Sequence, residues 1–252
     1  MIATEKLGKR YGEKTVLSGV TLELPKEKII AFIGGNGTGK STLLSLITRT
    51  LSKSEGKVMV DGTELSDWNN RGLAKKLSIL RQANDLNIRL TIRELVAFGR
   101  FPYTRGRLNA EDEKQIDRAL DYLGLKPLEH RYLDELSGGQ RQMAFIAMII
   151  AQDTEYIFLD EPLNNLDMRH SVQIMKVLRR LVTEAGKTVM VVIHDINFVV
   201  SHADYVIALK EGKVIAQGDT GTIIRPDVLK NIYDMDIKVA EIDGRPICLY
   251  YS

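Results

Sequence analysis

Nine consecutive residues carry the clearest chemistry in the chain: Gly34-Gly35-Asn36-Gly37-Thr38-Gly39-Lys40-Ser41-Thr42. The span Gly34 to Ser41 fits G-x-x-x-x-G-K-[ST], a phosphate-binding loop. Its glycines let successive backbone N–H groups turn inward and approach phosphate oxygens closely. A helix beginning at the loop adds partial positive charge. Lys40 offers a point charge to β and γ phosphates, and the Ser41 hydroxyl can ligate Mg²⁺. A second group lies at Tyr156-Ile157-Phe158-Leu159-Asp160-Glu161, an apolar run ending in two carboxylates. Beside a phosphate loop, Asp160 suits a metal held through water, and Glu161 suits the orientation or deprotonation of an attacking water. A third is Leu136-Ser137-Gly138-Gly139-Gln140, a hydroxyl and two unhindered N–H groups before a helical stretch. Read alone it is a helix N-cap; read with the first loop it is a second anion site, for another ligand or for a nucleotide held by a partner.

These groups need rigid elements behind them. Ile29 to Ile33 is a compact apolar run of the kind buried in a sheet, and Leu43 to Leu51 has helical spacing, so the phosphate loop sits between strand and helix. Thr15 to Leu24 alternates, and Val58 to Val60 followed by Asp61-Gly62 reads as strand and turn. From about Ala83 to Glu135 the sequence becomes charged and helix-patterned, with Ile92 to Phe98 and Ala110 to Leu123 as its helices, the latter with acidic residues in its first turn. Beyond it come a helix over Gly139 to Ala151, a strand over Tyr156 to Leu159, a helix over Ser171 to Glu184, and strands over Thr188 to Ile193 and Tyr205 to Lys210. Ile237 to Ile242 and Pro246 to Tyr250 flank Asp243-Gly244 as a hairpin. The pattern predicts an α/β protein: a P-loop NTPase (RecA-like) core with a mixed, largely parallel sheet, an antiparallel β N-terminal part and an inserted α-helical subdomain. The expected organisation is a single domain, 1–252, with a nucleotide-binding core over 1–82 and 138–226, a helical subdomain over 83–137 and a C-terminal extension over 227–252.

Composition narrows the function classes. With 35 basic and 33 acidic residues the net charge is +2, which leaves no electrostatic footprint for nucleic acid. Cys248 is the only cysteine, so no intramolecular disulfide and no cysteine cluster can form, and a reducing cytoplasm is the simplest home. Met1 to Tyr11 has no apolar h-region, and the longest apolar run, Met143 to Ala151, falls far short of the roughly 18 residues that span a bilayer. A role at the membrane requires docking on something that crosses it.

The phosphate loop, then LSGGQ, then a strand ending Asp160-Glu161 about twenty residues later resembles the ABC ATPases over nearly the whole chain. The resemblance implies a homodimer formed on ATP binding, head to tail, with two ATP molecules sandwiched between one subunit's phosphate loop and the other's LSGGQ. It assigns ATP to Tyr11, stacked on adenine, and to Gly34, Asn36, Gly37, Thr38, Gly39, Lys40, Ser41, Thr42 and Asp160. It assigns the partner subunit's ATP to Ser137, Gly138, Gly139, Gln140 and Asp167, the last in a loop crossing the interface. Catalysis falls to Glu161, to His194 as the switch histidine on the γ-phosphate, and to Gln82. Mg²⁺ falls to Ser41, Gln82 and Asp160. Asn164 stands where that interface loop usually has serine, which bears on coupling between subunits.

The segment Arg89 to Tyr103, ending Phe98-Gly99-Arg100-Phe101-Pro102-Tyr103, looks most like ATPases of iron–siderophore importers, catecholate types included; so do Ile193 to Phe198, Glu161 to Met168 and the C-terminal tail. By that resemblance the chain energises uptake of an iron(III)–siderophore complex at the cytoplasmic face of the inner membrane. Its partners are integral membrane permease subunits and, indirectly, a periplasmic or lipoprotein siderophore-binding protein, not nucleic acid. Haem or cobalamin import is the alternative. A soluble ABC ATPase acting on ribosomes or DNA fits less well, because those generally carry two cassettes or a long coiled-coil insertion; an export ATPase is disfavoured by the Gly99 to Tyr103 segment. Arg100, Arg105 and Arg107 read as a solvated loop, or as contacts to a permease helix or anionic lipid.

Overall fold

The computed structural model describes residues 1–81, 88–104, 106–164 and 166–250. The chain forms two compact units, residues 1–68 with 188–252, and residues 69–187.

The first unit opens with strands β1 (Ile2–Tyr11), β2 (Lys14–Leu24) and β3 (Ile29–Ile33), followed by helix α1 (Lys40–Ile47) and strands β4 (Glu55–Val60) and β5 (Thr63–Glu64). The first, second, fourth and fifth strands make an antiparallel sheet in the order β2-β1-β4-β5, the antiparallel N-terminal part expected. Alternation at the end of β2 buries Val20, Leu22 and Leu24 on one face, and a register shift between Leu17 and Val20 lets Leu17 be buried too. Along β1 the register shifts between Thr4 and Leu7, where Lys6 takes a left-handed conformation (φ 46°). That bulge breaks the period-two pattern and hides the strand in the sequence. Helix α1 begins at Lys40, earlier than the apolar spacing from Leu43 implies.

The second unit contains α2 (Asn70–Lys76), β6 (Leu77–Leu80), α3 (Ile92–Phe98), α4 (Phe101–Thr104), α5 (Ala110–Tyr122), α6 (Gly138–Ala151), β7 (Tyr156–Asp160) and α7 (Met168–Ala185). Strands β6 and β7 pair in parallel, Leu77 against Tyr156 through Leu80 against Leu159. The helix starts are locally specified: capping boxes pair Thr91 with Glu94 and Asn109 with Asp112. Helix α7 ends at Gly186, whose φ of 60° lets the chain turn back.

The Gly99–Tyr103 segment proves to be a packing knot. Arg100 is buried; its Nε donates to Asp112 Oδ1 at 2.9 Å and its Nη1 to the Ala151 carbonyl at 2.8 Å. Its guanidinium stands 3.9 Å from the Tyr103 ring centroid, and the Tyr103 hydroxyl donates to the Gln152 carbonyl at 3.0 Å. Arg100 is therefore not the solvated or docking side chain anticipated, because a buried carboxylate twelve residues ahead claims it. Arg107 is exposed, and Arg105 lies outside the described residues.

The chain returns to the first unit with β8 (Thr188–Val192), α8 (Ile196–His202), β9 (Tyr205–Lys210), β10 (Lys213–Asp219), α9 (Thr220–Ile223), α10 (Pro226–Tyr233), β11 (Lys238–Ile242) and β12 (Arg245–Leu249). Strand β3 lies between β8 and β9, parallel to both, with β10 antiparallel to β9. All residues of β3 and β8 are buried, which is why they read as unbroken apolar runs. Strands β11 and β12 form the expected hairpin around Asp243-Gly244. No described helix is long and apolar enough to cross a membrane.

Candidate functional site

The first unit carries the phosphate loop and His194. Parallel strands β3 and β8 both end at the same edge: the loop leaves β3 after Ile33, and His194 follows β8 two residues after Val192. Ligands bind at such carboxyl edges of parallel strands in open α/β sheets. Gly39, in a left-handed conformation (φ 100°), is the N-cap of α1 and supplies no side-chain cap. The N-terminal end of α1, which carries partial positive charge, thus opens on a loop of small residues, an arrangement suited to phosphate. The Lys40 ammonium donates to the Gly34 carbonyl at 2.9 Å and to that of Gly35 at 2.8 Å, and Thr38 Oγ1 to Gly35 O at 2.9 Å, so the loop is tied upon itself. A side chain at Gly34 is impossible: a Cβ there would lie 2.1 Å from the Leu209 carbonyl oxygen. Asn36 and Gly37 are exposed at the loop's tip; Ser41 and Thr42 are half-buried in the first turn of α1. Tyr11 is 52% exposed at the end of β1, its ring 4.8 Å from the Lys9 ammonium. An aromatic so exposed is free to stack on a flat ring.

His194 is exposed, and the next residue, Asp195, caps α8 by accepting from the Asn197 N–H at 2.8 Å. Sequence reasoning passed over Asn197. Its amide grips the hairpin: Nδ2 donates to the Cys248 carbonyl at 3.2 Å, and the Cys248 N–H donates to Oδ1 at 2.8 Å. Only the 51-residue separation concealed it. Burial, with a smaller contribution from the charge of Asp195, pushes the Cys248 thiol above its ordinary pKa.

The second unit carries the other two groups. Ser137-Gly138-Gly139-Gln140 is a capping box in this chain: Ser137 Oγ accepts from the Gln140 N–H at 3.3 Å, and Gln140 Oε1 from the Ser137 N–H at 3.2 Å. The two glycines differ. A Cβ on Gly138 would meet nothing, leaving exposed backbone that a ligand can approach, whereas Gly139 is buried against the ring of His170. Asp160 is buried at the end of β7, and Glu161 follows in a left-handed conformation (φ 53°) that turns the chain off the strand. The Asn164 amide donates to the Glu161 carboxylate, and Gln142 Nε2 of α6 donates to the Pro162 carbonyl at 3.1 Å. Asn164 thus meets the carboxylate three residues before it, something its odd place in the interface loop did not disclose. Asp167 caps α7 and pairs with His170. The His170 N–H and ring both hold the Asp167 carboxyl below the ordinary range.

Gln82 lies outside the described residues, directly after Arg81 and the end of β6. Among the described residues no cluster of His, Cys, Asp or Glu forms a metal cage by itself. The oxygens of Ser41 and Asp160 are hard donors, the type that takes Mg²⁺ together with substrate phosphates. They fit that ion and not a soft metal.

A family model described as ABC transporter matches residues 17–164. The chain is 54% identical over 252 residues, all of both chains, to the petrobactin import ATP-binding protein YclP of Bacillus subtilis (strain 168). It is 36% identical over 249 residues, covering 96% of this chain and 91% of the relative, to the ferric enterobactin transport ATP-binding protein FepC of Escherichia coli (strain K12). Among solved structures, the dimeric post-hydrolysis state of the ATP-binding cassette MJ0796 bound to ADP and Pi matches with a TM-score of 0.77 and 31% identity, over 87% of this chain and 99% of that one.

Proposed function

Because this chain belongs to the ABC transporter family, we propose that it is the ATP-hydrolysing subunit of an importer for iron(III)–siderophore complexes, working on the cytoplasmic side of a membrane permease. The observation that carries the substrate class is the unbroken 54% likeness, end to end, to a petrobactin import subunit. A second, more distant relative serving ferric enterobactin points the same way.

In this reading ATP binds with its phosphates at the N-terminal end of α1 and its adenine against Tyr11. The Lys40 ammonium, gathered on the loop by the carbonyls of Gly34 and Gly35, presents its charge to the β and γ phosphates. Ser41 and Asp160, with Gln82, are the residues to hold Mg²⁺, which when bound neutralises phosphate charge. Glu161 takes a proton from the attacking water as its oxygen bonds the γ phosphorus, and the bond to ADP breaks. His194 donates to the γ-phosphate. The loop Ser137-Gly138-Gly139-Gln140 of a second copy covers the same nucleotide, with Asp167 at the interface, so ATP closes a homodimer and hydrolysis reopens it. ATP can drive the permease only as far as it prefers the closed state. The dimeric state of the MJ0796 cassette supports this arrangement.

Glu161→Gln tests the mechanism. It keeps ATP binding while leaving the water without its base, so light scattering in MgATP should show a stable dimer with turnover reduced about a hundredfold or more. Near-normal turnover removes Glu161 from its role. For the substrate class, growth of a deletion strain on single ferric siderophores as sole iron source should fail for at least one of them and return on complementation; unimpaired growth on all refutes the siderophore assignment.

A further inference from the structure

The Asp167–His170–Gly139 contact joins two segments that sequence motifs treat separately. The Asp167 carboxylate accepts from the His170 N–H at 2.8 Å, and the same Oδ1 meets the ring Nδ1 at 2.8 Å. The ring is thereby held by the carboxylate that caps its own helix. The same part of the ring lies on Gly139: a Cβ built there would stand 2.6 Å from Cγ, 2.7 Å from Cδ2 and 2.8 Å from Nδ1 of His170. Ring and glycine backbone are in van der Waals contact with no space between them. The Asp167 side chain is 64% exposed, whereas that of His170 is 27% exposed, so the imidazole links a surface carboxylate to a buried glycine at the start of α6. Ser137, the cap of α6, is two residues before that glycine, and Gly138 lies between them.

We propose that His170 is a positioning residue for the Ser137 loop: its ring, steered by Asp167, sets the height of the first turn of α6 and hence of the Ser137 hydroxyl and the Gly138 N–H. The proposal rests on the reading that this loop covers the ATP of a second copy. A shift of Asp167 at the interface then moves the imidazole, and the imidazole moves the phosphate-facing turn. The interface loop and the ATP-covering loop of one subunit act as a unit because one side chain fills the gap between them.

The test uses the full chain with Glu161→Gln in MgATP, measuring the concentration at half-dimerisation, with MgADP affinity and thermal midpoint alongside. Adding His170→Ala should raise the half-dimerisation concentration about tenfold, as for other coupled contacts, while MgADP binding, a property of the phosphate loop, stays within twofold. His170→Asn puts an amide N–H near the place of Nδ1 and should recover dimerisation to within about threefold. Dimerisation of the Ala variant equal to its parent overturns the proposal, as does failure of Asn to recover it. Loss of MgADP binding on His170→Ala overturns it too, by showing general damage. A Glu161→Gln parent that stays monomeric overturns the two-copy reading itself and the proposal with it; an Ala variant as dimeric as a dimeric parent overturns the role of His170 alone.

Discussion

Arg100→Met is the perturbation whose size follows most directly from the contacts. The guanidinium and the Asp112 carboxylate are 6% and 2% exposed, so neither is rescued by water when the other leaves. Substitution strips Asp112 Oδ1 of its donor at 2.9 Å and the Ala151 carbonyl of its donor at 2.8 Å; what remains for the carboxylate is the Asn109 N–H on Oδ2 at 3.0 Å. Breaking one side of a buried ion pair costs about 3–5 kcal/mol, because the residual charge stays desolvated. Met fills much of the volume, so a cavity contributes little. Asp112→Ala alone leaves a buried guanidinium with the Ala151 carbonyl and the Tyr103 ring, and a loss of similar size is expected. The double variant has no buried charge left, and its loss should fall short of the sum of the singles by about 1–3 kcal/mol. Urea unfolding followed by far-ultraviolet circular dichroism reads all three. A loss below about 1 kcal/mol for Arg100→Met, or strict additivity, refutes the reading that each of these two buried charges compensates the other. Phe98 and Phe101 are exposed close by in the chain, whereas Arg100 is buried.

Three further outcomes concern the first unit. Lys40→Ala should lower MgATP affinity at least about a hundredfold in equilibrium titration, since it removes the charge aimed at the phosphates; undiminished affinity counts against the loop as the nucleotide site. Cys248 should react with a thiol reagent more slowly than an unhindered cysteine, its pH–rate profile displaced to the alkaline side, because burial disfavours the thiolate. Asn197→Ala, which frees the hairpin, should accelerate that reaction; an unchanged rate would show that the two hydrogen bonds do not hold β12 in place.

How much of this was legible depended on the range of the interactions involved. Strand β3 announced itself because burial on both faces demands an unbroken apolar run. The Ser137 loop could be read as a cap because a capping box closes within four residues, and the structure forms that cap. Strand β1 was obscured by its bulge. The start of α1 was misplaced because its cap is a left-handed glycine with no side chain to signal it. Arg100 was misjudged because Asp112 is too far along the chain for local charge pattern to pair them. Asn197 was missed for the same reason, its partner Cys248 lying in a hairpin that sequence alone gave no cause to dock on α8. His170 carried no motif at all; only the closeness of Gly139 to its ring reveals it.

The left-handed backbone at Glu161 has a consequence for how the site tolerates change. Residues with a Cβ resist that conformation by about 1–2 kcal/mol, a resistance that glycine lacks and asparagine feels less. The bend that ends β7 is therefore maintained against local preference at the very position proposed above to supply the catalytic carboxylate. Variants selected for heat resistance alone would drift toward glycine or asparagine there, gaining durability as they lose turnover. Selection for ATP turnover would, on the role proposed for Glu161, draw them back to glutamate.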